Sequence, residues 1–192
     1  MMNLEKTMQK FARYAAVGFL LLLTSCTTKA HLGYIPKYPI QASNNIQLVV
    51  EPFNDHRKKV DEIGSHRNLY GMPIIKVKTD DSVPDWMTGA FKAELTNAGY
   101  TILEKDQSSD YEIEGKIHQV YATTYFIYHG RMRVEIALKK NNSVLFQKEY
   151  QTKESGGANW MASPAGCANT IEINLQEICR QFIEDLSDFL HR

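Results

Sequence analysis

The spacing of apolar positions changes several times along the chain, and each change predicts a new element. Residues 46–53 (IQLVVEPF) are apolar and rich in β-branched side chains, and they end at Asn54-Asp55, so they predict a central strand. Residues 55–73 mix charged side chains with two glycines, which predicts a loop or an edge hairpin. Residues 74–77 (IIKV) resume strand character.

A helical spacing comes next. Asp81-Ser82 supplies an N-cap, Pro84 suits the first turn, and Gly99 ends the pattern. Residues 100–103 (YTIL) then predict a strand, so strand, helix and strand form a right-handed parallel unit. The apolar positions that recur at helical spacing are Val83, Met87, Phe91, Leu95 and Ala98.

A period of two begins at Tyr111. Alternation over residues 111–117 predicts a half-buried strand, and a phase slip at residues 118–120 indicates a bulge. Residues 131–139 carry the clearest alternation of apolar and charged side chains. Asn141-Asn142 predicts a tight reversal, because asparagine tolerates positive φ, and residues 144–150 return beside the previous strand. Three antiparallel strands are therefore expected.

The last predicted helix opens at Asn169 or Thr170 and carries a broad apolar stripe that needs a sheet to pack on. The predicted fold is α+β: a two-layer sandwich with a mixed, mostly antiparallel sheet of about five strands and two helices on one face. The stripe consists of Ile171, Leu175, Ile178, Phe182, Leu186 and Phe189, widened by Cys179, Ile183 and Leu190.

The N-terminus has the pattern of an export signal. Lys6, Lys10 and Arg13 precede residues 15–23, which are nine uncharged residues. A helix that crosses a bilayer needs about 20 apolar residues. The run is therefore too short to span a membrane and predicts a signal peptide over residues 1–25.

The apolar run ends at Leu23-Thr24-Ser25-Cys26, which resembles the lipobox of bacterial lipoproteins. This resemblance implies cleavage before Cys26, a thioether to diacylglycerol on its sulfur, and acylation, typically with palmitate, of the new N-terminus. The alternatives are an ordinary signal or a short buried helix with a chance cysteine. Thr27, rather than an aspartate, implies sorting to the outer membrane with the body facing the periplasm.

The rest of the chain divides into two predicted parts. Residues 26–45 begin with the lipidated cysteine and are rich in Thr, Ser, Asn and Pro without a regular period, which predicts a flexible tether. Residues 46–192 predict a single globular periplasmic domain. Without residues 1–25 the chain holds 19 basic and 21 acidic residues, which argues against a nucleic-acid partner.

The sequence offers no clear catalytic or metal-binding pattern. No Gly-x-Ser-x-Gly or His-Glu-x-x-His motif is present. A cluster of five polar residues, His56 and His66 with Asp55, Asp61 and Glu62, is explained by a solvated loop. We therefore predict no enzyme activity, no catalytic residue, no metal and no cofactor.

Two cysteines besides Cys26 leave a disulfide open as an alternative. Cys179 is expected about 14 Å along the last helix, while Cys167 precedes that helix. A disulfide requires Cα atoms within about 7 Å, so a buried Cys179 with an incidental Cys167 is favoured.

Two aromatic stretches are candidates for partner binding. Loops rarely expose large rings, and Tyr and Trp are enriched where proteins contact partners. The alternatives are that the rings fold back over an end of the sheet, or that they stack on sugar. The candidate residues are Tyr121, Tyr125, Phe126 and Tyr128 in the first stretch, and Trp160 and Met161 in the second.

Together these features resemble the YajG-type bacterial lipoproteins, a family without an established biochemical role. The matching residues are the lipobox, Asp55-x-Arg57 after the first strand, the helix ending at Ala98-Gly99-Tyr100, the alternating strand over residues 131–138, and the final amphipathic helix. Asp55 and Arg57 could form a binding pair, close a turn or share a surface salt bridge.

The expected function is that of a non-enzymatic lipoprotein anchored in the outer membrane. It would act as an adaptor or accessory subunit that contacts an envelope protein, with the membrane bound through acyl chains on Cys26. The alternatives are a binding module for peptidoglycan or lipid, and an auxiliary lipoprotein of an envelope transport complex, a layout that the architecture also resembles.

Overall fold

The computed structural model describes residues 26–41, 44–104, 109, 111–158 and 163–190. The predicted signal peptide lies outside these residues. Within them the chain forms ten strands and two helices: β1 Cys26–Lys29, β2 Gln47–Val50, β3 Asn54–Asp55, β4 Glu62–Arg67, β5 Pro73–Lys78, α1 Val83–Asn97, β6 Thr101–Leu103, β7 Tyr111–Thr124, β8 Ile127–Lys140, β9 Ser143–Thr152, β10 Ser155–Ala158 and α2 Pro164–Leu190.

All ten strands belong to one mixed sheet built around the long strand β7. On one side β7 pairs with β8 in antiparallel register, and β8 continues to β9 and β10. On its other side β7 pairs in parallel with β2, β3 and β4 in turn. Beyond these, β6 lies parallel to β2, β5 lies antiparallel to β4, and β1 lies parallel to β5.

The predicted α+β class is confirmed, but a sheet of about five strands is too small. The sequence did not predict β1, β3 or β10 as strands, because they are short and lack a clear apolar alternation. The predicted parallel unit of residues 74–77, the helix and residues 100–103 is not formed, because β5 pairs with β4 and β1 while β6 lies parallel to β2, an earlier strand. The hairpin of β4 and β5 agrees with the hairpin interpretation of residues 55–73, but it does not lie at an edge, because β4 also pairs with β7 and β5 also pairs with β1.

Both helices pack on the same face of the sheet and contact each other there, with the rings of Phe91 and Phe182 5.7 Å apart. The strands β7 and β8 bury alternate side chains beneath them, including Ile113, Ile117, Val134, Ile136 and Leu138. Polar and charged side chains occupy the intervening positions, so this face holds the hydrophobic core.

The predicted helix cap, tight turn and β-bulge are all present in the structure. Ser82 caps α1 by accepting a hydrogen bond from the backbone N–H of Asp85. Asn141 and Asn142 both have positive φ, 49° and 62°, and form the turn between β8 and β9. The register of β7 and β8 shifts between Ile117 and Gln119, which is the predicted bulge.

The final helix begins earlier than predicted, at Pro164 rather than at Asn169 or Thr170. Proline fits the first turn of a helix, because its missing N–H would have no partner there. Cys167 and Cys179 therefore lie on one continuous helix, about 18 Å apart along its axis. Both thiols are buried and free, and no disulfide joins them.

Residues 26–41, predicted to be part of a flexible tether, lie instead against the body. The first four form β1, and Ala30 donates its backbone N–H to the carbonyl oxygen of Lys78 over 2.9 Å. Residues 30–41, here called the strap, cross both helices. After Ala30, the strap lacks a regular period because side chains of the two helices and of Asp81, rather than a neighbouring strand, bind most of its backbone. Contacts of this kind join Leu32 to Asp81, Gly33 to Trp86, Ile35 to Glu172 and Gln176, and Lys37 and Tyr38 to Glu94.

Candidate anchor and partner-binding site

Cys26 is the exposed first residue of β1, an edge strand. It pairs in parallel register with Ile75, and Ile75 pairs with His66 on β4. His66 in turn pairs with Thr124, which pairs with Tyr128 across the β7–β8 turn. One row of paired residues therefore connects the predicted lipidation site to the far hairpin at the same end of the sheet, here called the tip.

Two turns extend beyond this row. In the β4–β5 turn, the side-chain oxygen of Asn68 accepts hydrogen bonds from the backbone N–H groups of Tyr70 and Met72, both over 3.0 Å. In the β7–β8 turn, the rings of Tyr125 and Phe126 meet edge to face at 4.4 Å. The hydroxyl of Tyr125 donates a 2.7 Å hydrogen bond to the carbonyl oxygen of Leu69, which joins the two turns.

The side chains of these turns form an exposed apolar surface, here called the tip patch. Tyr70 is 87% exposed and Phe126 is 58% exposed, although both are large and apolar over most of their surface. The tip patch consists of Leu69, Tyr70, Met72, Tyr125, Phe126 and Ile127.

The predicted partner-binding residues have different environments. Tyr125 and Phe126 are exposed at the tip. Tyr128 is buried, and its hydroxyl donates to the carbonyl oxygen of Ser163 and accepts from the backbone N–H of Ser163, so it fixes the start of α2. Tyr121 is half-buried on β7 and donates a 3.3 Å hydrogen bond to Glu62. Trp160 and Met161 lie outside the described residues.

The sequence reasoning did not single out Leu69, Tyr70 and Met72. A signal for them was present, because the stretch NLYGM places three large apolar residues in a turn marked by asparagine and glycine. Such residues cannot be buried by a short turn alone. Their association with Tyr125 depends on the pairing of β4 with β7, which is distant in sequence.

The Asp55–Arg57 pair closes a turn. Asp55 accepts a hydrogen bond from the backbone N–H of Arg57, and the guanidinium binds the same carboxylate through Nε at 2.9 Å and Nη2 at 2.7 Å. Burial disfavours the charged carboxylate, but the hydrogen bonds from Arg57 outweigh it and lower the pKa of Asp55. The guanidinium also donates to the carbonyl oxygen of Val60. The geometry therefore matches the structural alternative.

Side chains that could bind a metal or act as a nucleophile are dispersed in the part of the chain that the structure describes. That part contains no group of three or more His, Cys, Asp or Glu side chains placed to hold a metal ion. Burial raises the pKa of the Cys167 thiol to about 11 and raises the pKa of Cys179 as well. A thiol with a raised pKa forms little thiolate, so neither cysteine has the character of an activated nucleophile.

A cavity of about 480 Å³ lies between the strap and the outer side of α2. Its wall includes Lys37, Tyr38, Glu94, Gln176 and Arg180. The carboxylate of Glu94 is already bound by the strap, and Arg180 is paired with Glu177 and Glu184. The carboxylate of Glu94 and the guanidinium of Arg180 therefore already have partners within the protein.

Neither described helix combines the length and the hydropathy that a membrane-spanning segment requires. This finding concerns the described residues alone.

Comparison with solved structures identifies the fold. The chain is similar to a DUF330 family protein from Xanthomonas campestris, with a TM-score of 0.57, 11% identity, and coverage of 82% of this chain and 92% of that one. A protein of uncharacterised function has a TM-score of 0.58, 8% identity, and coverage of 80% and 99%. A lower-scoring match is the lipoprotein GNA1162 from Neisseria meningitidis, with a TM-score of 0.40, 9% identity, and coverage of 72% and 99%.

No family model and no curated protein matches the sequence. At identities of 8 to 11%, the first two solved structures show a shared fold and do not transfer a function.

Proposed function

We propose that the protein is a non-enzymatic lipoprotein of the bacterial envelope, held to the outer membrane by acyl chains on Cys26 and facing the periplasm. It acts as an adaptor or accessory subunit through contacts with another envelope protein, in agreement with its resemblance to the YajG-type lipoproteins. One observation carries this proposal: the cysteine that completes the lipobox is exposed at the start of an edge strand, where its sulfur is accessible for lipidation.

The position of Cys26 also sets how the body is held. Two or more acyl chains anchor a protein stably, because each buried CH₂ contributes about 0.8 kcal/mol. Since β1 and the strap are bound to the body, few residues separate the acyl chains from the sheet. The proposal therefore places the tip at the bilayer and the opposite end of the sheet in the periplasm.

We place the protein contact on the outer edge of β9. This ten-residue strand pairs only with β8 among the described strands, so its other edge offers unpaired backbone groups. Such an edge is a template for a strand of a partner. Val144 is 51% exposed beside the Asn141–Asn142 turn. Fourteen residues of β8 put that turn about 40 Å from the tip, within reach of a periplasmic protein.

Metabolic labelling with radioactive palmitate tests the anchor. Wild-type protein should be labelled and should fractionate with outer membranes, whereas Cys26→Ser should lose both properties. Cys167→Ala is the matched control, because it removes a buried thiol and should keep the label. Equal labelling of the wild type and of Cys26→Ser would refute the anchor.

Photo-crosslinking in cells tests the contact. A crosslinking residue at Val144 or Gln147 on β9 should capture one discrete envelope protein, and the same residue at Arg57, which is buried in its ion pair, should not. Capture of a subunit of a transport complex would support the auxiliary role. Capture of peptidoglycan, or of nothing, would contradict the adaptor role.

A further inference from the structure

We infer that the tip patch is a membrane-contact surface that inserts into the headgroup region of the bilayer beside the acyl chains of Cys26. This inference rests on the proposed anchor and adds a second point of attachment on the protein itself. Its occupant is the lipid surface, and not a protein partner.

Distance supports the bilayer as the occupant. The row from Cys26 through Ile75, His66 and Thr124 to Tyr128 crosses four strand pairings. At about 4.8 Å per pairing, the whole row spans about 20 Å. A lipidated Cys26 is fixed at the membrane interface, so the two turns beyond this row are held within the same short distance of the lipid.

The strap prevents the body from moving away. A free tether would let the tip patch rise from the membrane, but β1 is hydrogen-bonded to β5 from its first residue. Leu32 donates its backbone N–H to Asp81 over 2.7 Å, which fastens the chain again after β1. Cys26 and the turns therefore behave as one rigid unit, and lifting the turns would require breaking the edge of the sheet.

The composition of the tip patch suits the interface of a bilayer. Six of the thirteen large apolar side chains that the described residues expose belong to it, and Ile74, next to the partner of Cys26, is a seventh at the same end. Contiguous exposed apolar surface marks a contact site. Tyr side chains combine an apolar ring with a polar hydroxyl and are enriched at membrane interfaces, while Leu, Ile, Met and Phe supply apolar area.

The charges around the tip patch favour a lipid headgroup. Residues 63–78 and residues 115–134 contain no Asp or Glu. Exposed Arg67 and half-buried Lys76 lie in the first of these segments, each next to a residue of the row that joins Cys26 to Tyr128. Cationic side chains near an apolar surface attract anionic lipid phosphates, so the charge pattern and the apolar area favour the same occupant.

An acidic residue also lies between β9 and β10, but it is set back from the tip. The backbone carbonyl oxygen of Glu154 accepts a hydrogen bond from the backbone N–H of Gly130 over 2.8 Å. Gly130 is two residues along β8 from Tyr128, in the direction away from the β7–β8 turn. The backbone of Glu154 is therefore on the body side of the row that ends at Tyr128.

Site-specific fluorescence tests the inference on the intact lipidated protein. Cys167 and Cys179 are buried and the sulfur of Cys26 would be a thioether, so a cysteine introduced on the surface can be labelled selectively. We would place an environment-sensitive dye at Tyr70→Cys and at Phe126→Cys, with Val144→Cys at the opposite end of the sheet as the matched control. The protein is then reconstituted in phosphatidylethanolamine and phosphatidylglycerol vesicles with or without spin-labelled lipid.

The inference predicts a blue shift and strong quenching by spin-labelled lipid at positions 70 and 126, and neither change at position 144. Vesicle flotation separates the two kinds of failure. If the protein floats but positions 70 and 126 are not quenched, the inference is wrong and the anchor stands. A blue shift without lipid quenching would show a second copy of this chain in the site and would also overturn the inference. If the protein does not float, the anchor and the inference fail together.

Discussion

The hydroxyl of Tyr34 on the strap donates a 2.6 Å hydrogen bond to the carboxylate of Glu94 on α1. The same carboxylate accepts hydrogen bonds from the backbone N–H groups of Lys37, over 2.9 Å, and Tyr38, over 2.8 Å. Glu94 is only 1% exposed, and these three donors compensate for its lost hydration. This one side chain therefore fastens residues 34–38 of the strap to α1.

The Glu94→Gln substitution should lower the free energy of unfolding by about 2 to 3 kcal/mol, because the amide keeps the shape of the side chain but turns an N–H donor toward one of the three donors. Urea denaturation measures the change. Glu104→Gln is the matched control, since the Glu104 side chain is 82% exposed and its loss should change stability by less than about 0.5 kcal/mol. Equal effects of the two substitutions would show that Glu94 does not hold the strap.

Elements that depend on local chemistry could be predicted from the sequence. Ser82 and Pro84 define the start of α1, and Asn141 with Asn142 supplies the two positive φ angles of a tight turn. The strap could not be predicted in this way. Its backbone is bound by side chains such as Glu94, more than fifty residues away, so its own composition resembles that of a solvated linker.

The two parts of the candidate site, Cys26 and the tip patch, also differ in whether local sequence predicts them. Cys26 could be predicted from its neighbours in the sequence, because the resemblance to a lipobox depends only on contiguous residues. The tip patch depends instead on the pairing of β4 with β7, which brings Leu69 to Tyr125 across 56 residues. Tyr128 belongs to the same aromatic stretch as Tyr125 but is buried, because neighbouring residues in the β7–β8 hairpin point to different faces of the sheet.

His66 should make stability depend on pH. It is 2% exposed, and neither ring nitrogen has a hydrogen-bond partner among the described residues. Burial disfavours the charged imidazolium and lowers the pKa of His66 below its ordinary value of 6.5. The unfolded chain therefore binds the proton more readily, so the contribution of His66 to stability is present above pH 6.5 and is lost as the pH falls through the folded pKa.

Urea denaturation between about pH 7 and about pH 5 measures this effect. His66→Leu should flatten the fall in unfolding free energy toward low pH. His31→Asn is the control, because the His31 side chain is 92% exposed, and it should leave the fall unchanged. The same slope in His66→Leu and in the wild type would assign the pH dependence to other groups.

Gly64 and Gly89 should respond in opposite directions to alanine. A Cβ atom on Gly64 would lie 2.5 Å from the backbone carbonyl oxygen of Ala122, the residue that pairs with it across β4 and β7. Backbone in the middle of a sheet cannot move away cheaply, so Gly64→Ala should lower the free energy of unfolding by about 1 to 3 kcal/mol. A Cβ atom on Gly89 meets nothing within 4 Å, and Gly89→Ala should raise stability by up to about 1 kcal/mol.

Both substitutions restrict the unfolded chain equally, so the difference between them contains the native contact at Gly64 and the preference of alanine for a helix over a strand, which is smaller than the expected contact cost. Thermal or urea denaturation of the two variants gives that difference directly. If Gly64→Ala were as stable as the wild type, β4 could not approach β7 as closely as the structure shows. The row of pairs that joins Cys26 to the β7–β8 turn passes from β4 to β7 beside this contact, so the arrangement of the tip would then have to be different.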